Sequence, residues 1–408
     1  MIQQKKRSWI PLVILLVMVL SITFFVLYGF FGKGKSFSNP GEGCIAMQDR
    51  GSYEDTINIA FISENYNDFS KFEFDSKKMM NSLLNTIPYN EFPERFNFFR
   101  VESIEDLGCV YDEDSVVCEP SKIKKIAAKC PFDYAIVLVE VNGIEKFFKH
   151  LRSSAFRGTA SLNSADDPLV FAHEFAHLFA GLLDEYITGG SILFEGVNCD
   201  KNNDCPKFSD FKDSECYLGC VDESHFRSIY VGIMKNYWKS NRYGSFNEYI
   251  IRNVILDNTL STDQIGSSPI QKSMPLEKGE EILLISYGCI GEDCEILEVE
   301  SSFGYVSKSS KKGIGFYSED YSIKVDSVLG NTLIVEGVKD ESGEMIGEYS
   351  SPKKIIDVVA IPYSDDTKIE IKNSSGSVLD NYRFIDRSEE RKYLVSFNEI
   401  VLNILSVI

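Results

Sequence analysis

Apolar runs alternate with segments of helical spacing over the first half of the chain. Residues 57–62, 96–101 and 134–141 are apolar-rich runs of the length of a buried strand. Between them, residues 69–87 and 121–128 space their apolar side chains at helical intervals. Strands that alternate with helices indicate an α/β layered domain, which we place at residues 53–260.

The pattern changes after residues 261–279, a polar segment with two prolines that is typical of a linker. Short strand-like apolar runs, separated by turn residues, then recur at close intervals. This repetition predicts an all-β, sandwich-like accessory domain at residues 275–408.

The N-terminal part of the chain contains one long apolar segment. Trp9–Phe31 carries no charge, and a helix of this length spans about 34 Å, enough for a hydrocarbon layer of ~30 Å. A cleaved signal peptide is the alternative, but its apolar region is shorter and ends at a small-x-small site that we do not find. We therefore predict a transmembrane helix at residues 9–31, after a cytoplasmic tail at 1–8. The Gly-, Ser-, Asn- and Pro-containing segment at 32–52 is predicted to be a tether.

Charge and cysteine content indicate the compartment. The net charge is −19, yet residues 1–35 carry five basic and no acidic residues, so the remaining chain carries −24. This balance argues against a nucleic-acid partner. All ten cysteines follow the apolar segment, several at short spacing, which predicts disulfides in an oxidising compartment. With the basic flank at residues 5–7, this favours a cytoplasmic N-terminus and an extracytoplasmic remainder.

A helix with local start and stop signals is predicted at Pro168–Ala180. Asp167 is a favourable N-cap, Pro168 suits the first helical position, and Gly181 suits the position after the last turn.

Within this helix lies an HExxH motif formed by His173, Glu174 and His177. Histidines at i and i+4 project from one face, so two neutral imidazoles can bind one Zn²⁺ ion. Glu174 can accept a proton from a water molecule and pass it to the leaving amine, which makes it the candidate general base.

A catalytic zinc site needs a third protein ligand and an open position. Asp184 follows Gly181 by three residues, and we prefer it as that ligand. On an unbroken helix it would lie ~10 Å from His177, so a turn at Gly181 is required. Glu185 is the alternative carboxylate, and His225 is a remote third choice.

The string HEFAHLFAGLLDEY, from His173 onward, resembles the signature of peptidase family M64, the IgA-peptidase-like metallopeptidases, which carry strings of the type HEFGHSFAGLADEY. The differences fall at Ala176, Leu178 and Leu183, none of them a proposed ligand. The resemblance covers about residues 53–255 and implies a metzincin-like endopeptidase. It also implies that Met234 underlies the zinc site, although an ordinary core methionine is an equal alternative. It does not imply that immunoglobulin is the substrate.

Three further features remain open. Tyr237 or Tyr243 could donate to an oxyanion. Arg157–Ala160 is either an edge strand that pairs with extended substrate or a plain connecting strand. Cys44 could bind the zinc and keep an enzyme latent, although the even number of cysteines favours a disulfide.

Together these features predict a membrane-anchored, extracytoplasmic zinc endopeptidase that acts on a protein or peptide substrate. One alternative is a non-catalytic cell-surface adhesion or binding protein on a peptidase-like scaffold, and another is an ectodomain with a structural zinc ion.

Overall fold

The computed structural model describes residues 43–112, 115–141, 151–188, 196–259, 279–290, 293–306, 314–317, 320–324, 333–339, 345–350, 354–364, 366–372 and 377–385. Apart from Asn67–Phe69, these residues belong to one compact unit. The predicted transmembrane helix at residues 9–31 lies outside them. Among the residues described, no helix is both long and apolar enough to cross a membrane.

The secondary structure is a mixture of strands and a few helices, as the sequence predicted. The helices described are α1 (Phe69–Leu84), α2 (Pro120–Ala127), α3 (Leu169–Ala180), α4 (Ile233–Asn236) and α5 (Ser245–Asp257). The strands described are β1 (Ile45–Gln48), β2 (Ile57–Glu64), β3 (Phe96–Val101), β4 (Val110–Asp112), β5 (Ser115–Val117), β6 (Tyr134–Val139), β7 (Ser154–Phe156), β8 (Thr159–Asn163), β9 (Ile187–Thr188), β10 (Tyr217–Cys220), β11 (Asp222–Arg227), β12 (Glu280–Ile290), β13 (Asp293–Gly304), β14 (Ile314–Tyr317), β15 (Asp320–Lys324), β16 (Leu333–Lys339), β17 (Met345–Ser350), β18 (Lys354–Pro362), β19 (Asp366–Lys372) and β20 (Val378–Ile385).

A central sheet joins nine of the described strands in the order β1–β3–β2–β6–β8–β7–β16–β17–β9. Its middle is parallel, because β3, β2, β6 and β8 pair in parallel and helical crossovers connect β2 to β3 and β3 to β6. Strands covered on both faces are predominantly apolar, as INIAFI in β2 and YAIVLV in β6 are. The predicted α/β layering is confirmed.

The structure differs from the predicted tether at its C-terminal end. Ile45–Gln48 forms β1 at the edge of the central sheet, antiparallel to β3, and all four of its residues are buried. Residues 32–52 are rich in loop-forming residues as a whole, but they include a short, mainly apolar run at Ile45–Gln48 that pairs with β3. The tether prediction is therefore wrong at β1; its residues 32–42 lie outside the described ranges.

Arg157–Ala160 is not an edge strand, so that interpretation is wrong. Arg157 and Gly158 form the turn between β7 and β8, both with positive φ. Strand β8 pairs with β6 on one side and β7 on the other, and β7 in turn pairs with β16 from the C-terminal region. A local sequence cannot show which neighbours a strand acquires, because those neighbours come from distant parts of the chain.

The C-terminal strands form two further sheets, β13–β12–β18 and β14–β15–β19–β20. Alternate residues of β12 point to opposite sides: Ile282 and Leu284 join the core that contains α2, whereas Leu283 and Ile285 pack with Ile369. Strand β12 is therefore covered on both faces, which explains its unbroken apolar run. The predicted domain division at 53–260 and 275–408 stays a prediction.

All ten cysteines are paired, which confirms the disulfide prediction. The bonds are Cys44–Cys130, Cys109–Cys118, Cys199–Cys220, Cys205–Cys216 and Cys289–Cys294. Because Cys44 is bonded to Cys130, it has no thiolate to offer a metal ion, and the latency hypothesis is wrong.

Candidate metal centre

Helix α3 carries the HExxH motif and packs one aromatic face on the central sheet. The ring of Phe171 lies 5.4 Å from that of Phe61, and the ring of Phe175 lies 5.2 Å from that of Tyr134. The helix begins where Asp167 Oδ1 accepts the Leu169 N–H at 2.9 Å, within one residue of the predicted start. Since residues 171 and 175 face the sheet, the histidines lie on another face of α3.

His173 and His177 are oriented by backbone carbonyl groups. His173 Nδ1 lies 3.0 Å from the Ile233 oxygen, and His177 Nδ1 lies 2.6 Å from the Leu182 oxygen. A carbonyl oxygen can only accept, so each Nδ1 carries the hydrogen and each Nε2 keeps its lone pair. The two Nε2 atoms are 3.3 Å apart. Both rings are thus held as metal ligands need to be.

Asp184 completes the group. Gly181 ends α3 in the left-handed conformation, with a φ of 63°, and the chain turns back there as the sequence required. Asp184 Oδ1 lies 3.1 Å from His173 Nε2 and 3.4 Å from His177 Nε2. All three residues are buried, and one ligand atom from each lies within 4.8 Å of the others. This group can hold a metal ion.

Glu185, the alternative third ligand, is not part of this group. Its Oε1 accepts hydrogen bonds from Asn247 Nδ2 at 2.7 Å and Asn198 Nδ2 at 3.4 Å. Burial raises the pKa of Glu185, and the hydrogen bond from Asn247 offsets part of this rise. The resulting pKa is about 7. The structure therefore brings Asp184, and not Glu185, to the histidines.

Glu174, the candidate general base, is fully buried in α3 directly after His173. His225, the remote third choice, lies on β11, where its Nδ1 is 2.7 Å from Asp222 Oδ1. It does not belong to the His173–His177–Asp184 group.

The segment around Met234 contacts the centre through its backbone. The Ile233 carbonyl orients His173, and the Met234 carbonyl accepts the Glu185 N–H at 2.9 Å. The Met234 side chain is fully buried. Its burial is consistent both with a methionine beneath the zinc site and with an ordinary core methionine.

The two tyrosines considered for an oxyanion differ in position. The Tyr237 ring lies 5.6 Å from the His173 ring. The Tyr243 hydroxyl donates to the Ala172 carbonyl of α3 and is fully buried. Tyr237 therefore lies beside the candidate metal centre, whereas Tyr243 supports the backbone of the helix.

Sequence reasoning missed three residues next to the centre. The Tyr186 ring stacks nearly parallel to that of His173, at 6.4 Å between centroids. Asn198 and Asn247 bind the segment that carries Asp184 and Glu185. Tyr186 is inside the motif string and could have been found there, but nothing local distinguishes the two asparagines from others in the chain.

We compared the sequence with protein-family models and with curated proteins, and nothing in either set matches it.

Proposed function

We propose that this chain is a membrane-anchored zinc endopeptidase that hydrolyses protein or peptide substrates outside the cytoplasm. The observation that carries the proposal is the buried group of His173, His177 and Asp184, with Glu174 between the histidines in sequence. The likeness of HEFAHLFAGLLDEY to the M64 signature supports the same reaction class. The five disulfides support an oxidising compartment.

The donor set fits zinc. Two imidazole nitrogens and one carboxylate oxygen are ligands that Zn²⁺ accepts at about 2.0–2.2 Å. In a tetrahedral site with such bonds, neighbouring ligand atoms lie about 3.4 Å apart. The three donor atoms are separated by 3.1, 3.3 and 3.4 Å. Three protein ligands leave one position open, as catalytic zinc sites do and structural sites with four protein ligands do not.

Each residue then has a defined chemical role. When bound, the metal would polarise a water molecule and the scissile carbonyl group. Glu174 takes a proton from the attacking water and passes it to the leaving amine. The carbonyls of Ile233 and Leu182 keep both histidines in the tautomer that leaves Nε2 unprotonated. Asp184 supplies a negative charge that offsets part of the metal charge.

The decisive experiment separates zinc binding from catalysis. The full chain is produced in an oxidising compartment, solubilised in detergent and tested for zinc content and for cleavage of casein and a peptide library. We expect Glu174→Gln to keep its zinc and lose at least about 100-fold in kcat/KM, the usual contribution of a general base. Glu223→Gln, an exposed glutamate on β11, is the matched control and should match wild type.

Two results would count against the proposal. Equal cleavage by wild type and Glu174→Gln would exclude the mechanism. Zinc binding by wild type without any cleavage would favour the non-catalytic binding protein or the structural zinc ectodomain.

A further inference from the structure

Asp184 lies outside any helix or strand, so its position depends on what holds its neighbours. The residue before it, Leu183, is held through both of its backbone polar groups by one side chain. Asn198 Oδ1 accepts the Leu183 N–H at 2.8 Å, and Asn198 Nδ2 donates to the Leu183 carbonyl at 2.9 Å. The same Nδ2 lies 3.4 Å from Glu185 Oε1.

Only a primary amide can make this set of contacts. It offers an acceptor and a donor side by side, the pattern that a paired β-strand presents to its neighbour. Asn198 is fully buried, so no bulk water can replace a lost bond. An alanine there would leave both Leu183 groups without this partner.

The cysteine-rich segment holds Asn198 in place. Gly196 approaches Leu183 so closely that a Cβ atom at this position would clash with the Leu183 side chain. Lys207 Nζ donates to the carbonyl groups of Gly196 at 3.1 Å and Cys199 at 2.6 Å, on either side of Asn198. Cys199 is bonded to Cys220, and both pack with Leu183 in one buried cluster.

A second anchor lies on the other side of Asp184. Asn247 Nδ2 donates to Glu185 Oε1 at 2.7 Å, and the Glu185 N–H donates to the Met234 carbonyl at 2.9 Å. The residues before and after Asp184 are therefore both held by buried hydrogen bonds, whereas the two histidines are held by a helix.

We infer that Asn198 is a positioning residue of the metal centre, which fixes the Leu183–Glu185 segment so that the Asp184 carboxylate meets His173 and His177. This inference rests on the proposed function, since it takes the three residues as metal ligands. The disulfide-bonded segment from Gly196 to Cys220 then serves as the frame that supports the third ligand.

The test measures the zinc dissociation constant of the full chain by competition with a chromogenic chelator, beside thermal unfolding of the metal-free protein. We expect Asn198→Ala to raise the zinc Kd by about 10–100-fold, the range seen when residues that orient metal ligands are removed. Asn97→Ala is the matched control. Asn97 is also fully buried and its Nδ2 bonds Thr56 and Asn58, neither of which belongs to the metal centre. This control should lower stability and leave the zinc Kd unchanged.

A pair of polar exchanges keeps the inference testable if Asn198→Ala does not fold. Asn198→Asp keeps the acceptor for the Leu183 N–H but sets a carboxylate against Glu185. Adding Glu185→Gln restores a donor and an acceptor at that contact, so the double variant should recover part of the zinc affinity lost in Asn198→Asp.

The outcomes separate this inference from the proposed function. If wild type and Asn198→Ala bind zinc within about twofold of each other, or if Asn97→Ala weakens binding equally, the inference is overturned while the peptidase proposal stands. If wild type binds zinc but cleaves nothing, the peptidase proposal fails and the zinc Kd values still decide the role of Asn198. A wild type that binds no zinc overturns both.

Discussion

Asp184 and Glu185 are neighbours in sequence and both fully buried, yet their carboxylates have different surroundings. Asp184 faces two imidazole nitrogens, whereas Glu185 faces two amide groups. An amide can hydrogen-bond a glutamine side chain as well as a glutamate, but a metal ligand set needs the carboxylate charge. The two residues should therefore respond differently to neutralisation.

We predict that Asp184→Asn raises the zinc Kd by more than about 100-fold, beyond the range typical of residues that only orient ligands. Glu185→Gln should stay within about threefold of wild type, since it keeps the Oε1 acceptor for Asn247 and Asn198. Chelator competition measures both, with Glu223→Gln as the exposed control. The reverse order of effects would make Glu185 the third ligand.

At the scale of the element, the turn after α3 decides which side chain reaches the histidines. Gly181 has a φ of 63°, and a Cβ atom added there would meet no atom within 4 Å. Substitution at this position thus acts through backbone strain alone, without a steric clash. Gly158, in the turn between β7 and β8, has a φ of 77° and equally open surroundings, but is not part of the candidate metal centre.

We predict that Gly181→Ala and Gly158→Ala each lower the free energy of unfolding by about 1 kcal/mol, the strain of a left-handed alanine. Only Gly181→Ala should weaken zinc binding, by up to about fivefold, because the strained turn has to be restored when the metal binds. Denaturant unfolding and chelator competition measure the two quantities. Equal zinc affinity in both variants would show that the turn keeps its shape without glycine.

At the scale of the whole molecule, one buried carboxylate connects the C-terminal strands to the α/β core. Asp357 of β18 binds Lys124 Nζ at 2.7 Å and Arg157 Nε at 2.9 Å, and it is almost fully buried. Burial raises the pKa of Asp357, but the positive charges of Lys124 and Arg157 lower it by more than burial raises it. The net shift of the pKa is therefore downward. A carboxyl group with a lowered pKa contributes stability above its unfolded pKa of about 3.9 and loses it as the pH falls through the folded value.

We predict that Asp357→Asn lowers the free energy of unfolding by up to about 3 kcal/mol at pH 7, the lower end of the range for breaking a buried pair, because it leaves two partly buried cations without their counter-charge. The difference from wild type should shrink as the pH falls below about 3.9. Urea unfolding at about pH 7 and about pH 3 measures it. Asp366→Asn, which removes an exposed pair with Arg383, is the control and should change stability little. An Asp357→Asn protein as stable as wild type at neutral pH would contradict this role.

The sequence determined the features that depend on local periodicity. The strands β2, β3 and β6, the helix α3 and the pairing of His173 with His177 all follow from spacings of a few residues. Such spacings are properties of a single strand or helix, so they can be read without knowing what the element packs against. The even cysteine number likewise predicted disulfides, but not their partners.

Which distant groups meet depends on the three-dimensional fold. Strand β16 covers β7, β1 pairs with β3, and Asn198 and Asn247 hold the segment that presents Asp184. Each of these contacts joins residues that are far apart in sequence, so no local pattern can predict it. The contacts form because buried backbone and amide groups need hydrogen-bond partners. Whether Asp184 or Glu185 reaches the histidines also depends on the fold, because side chains one residue apart in a turn point in different directions.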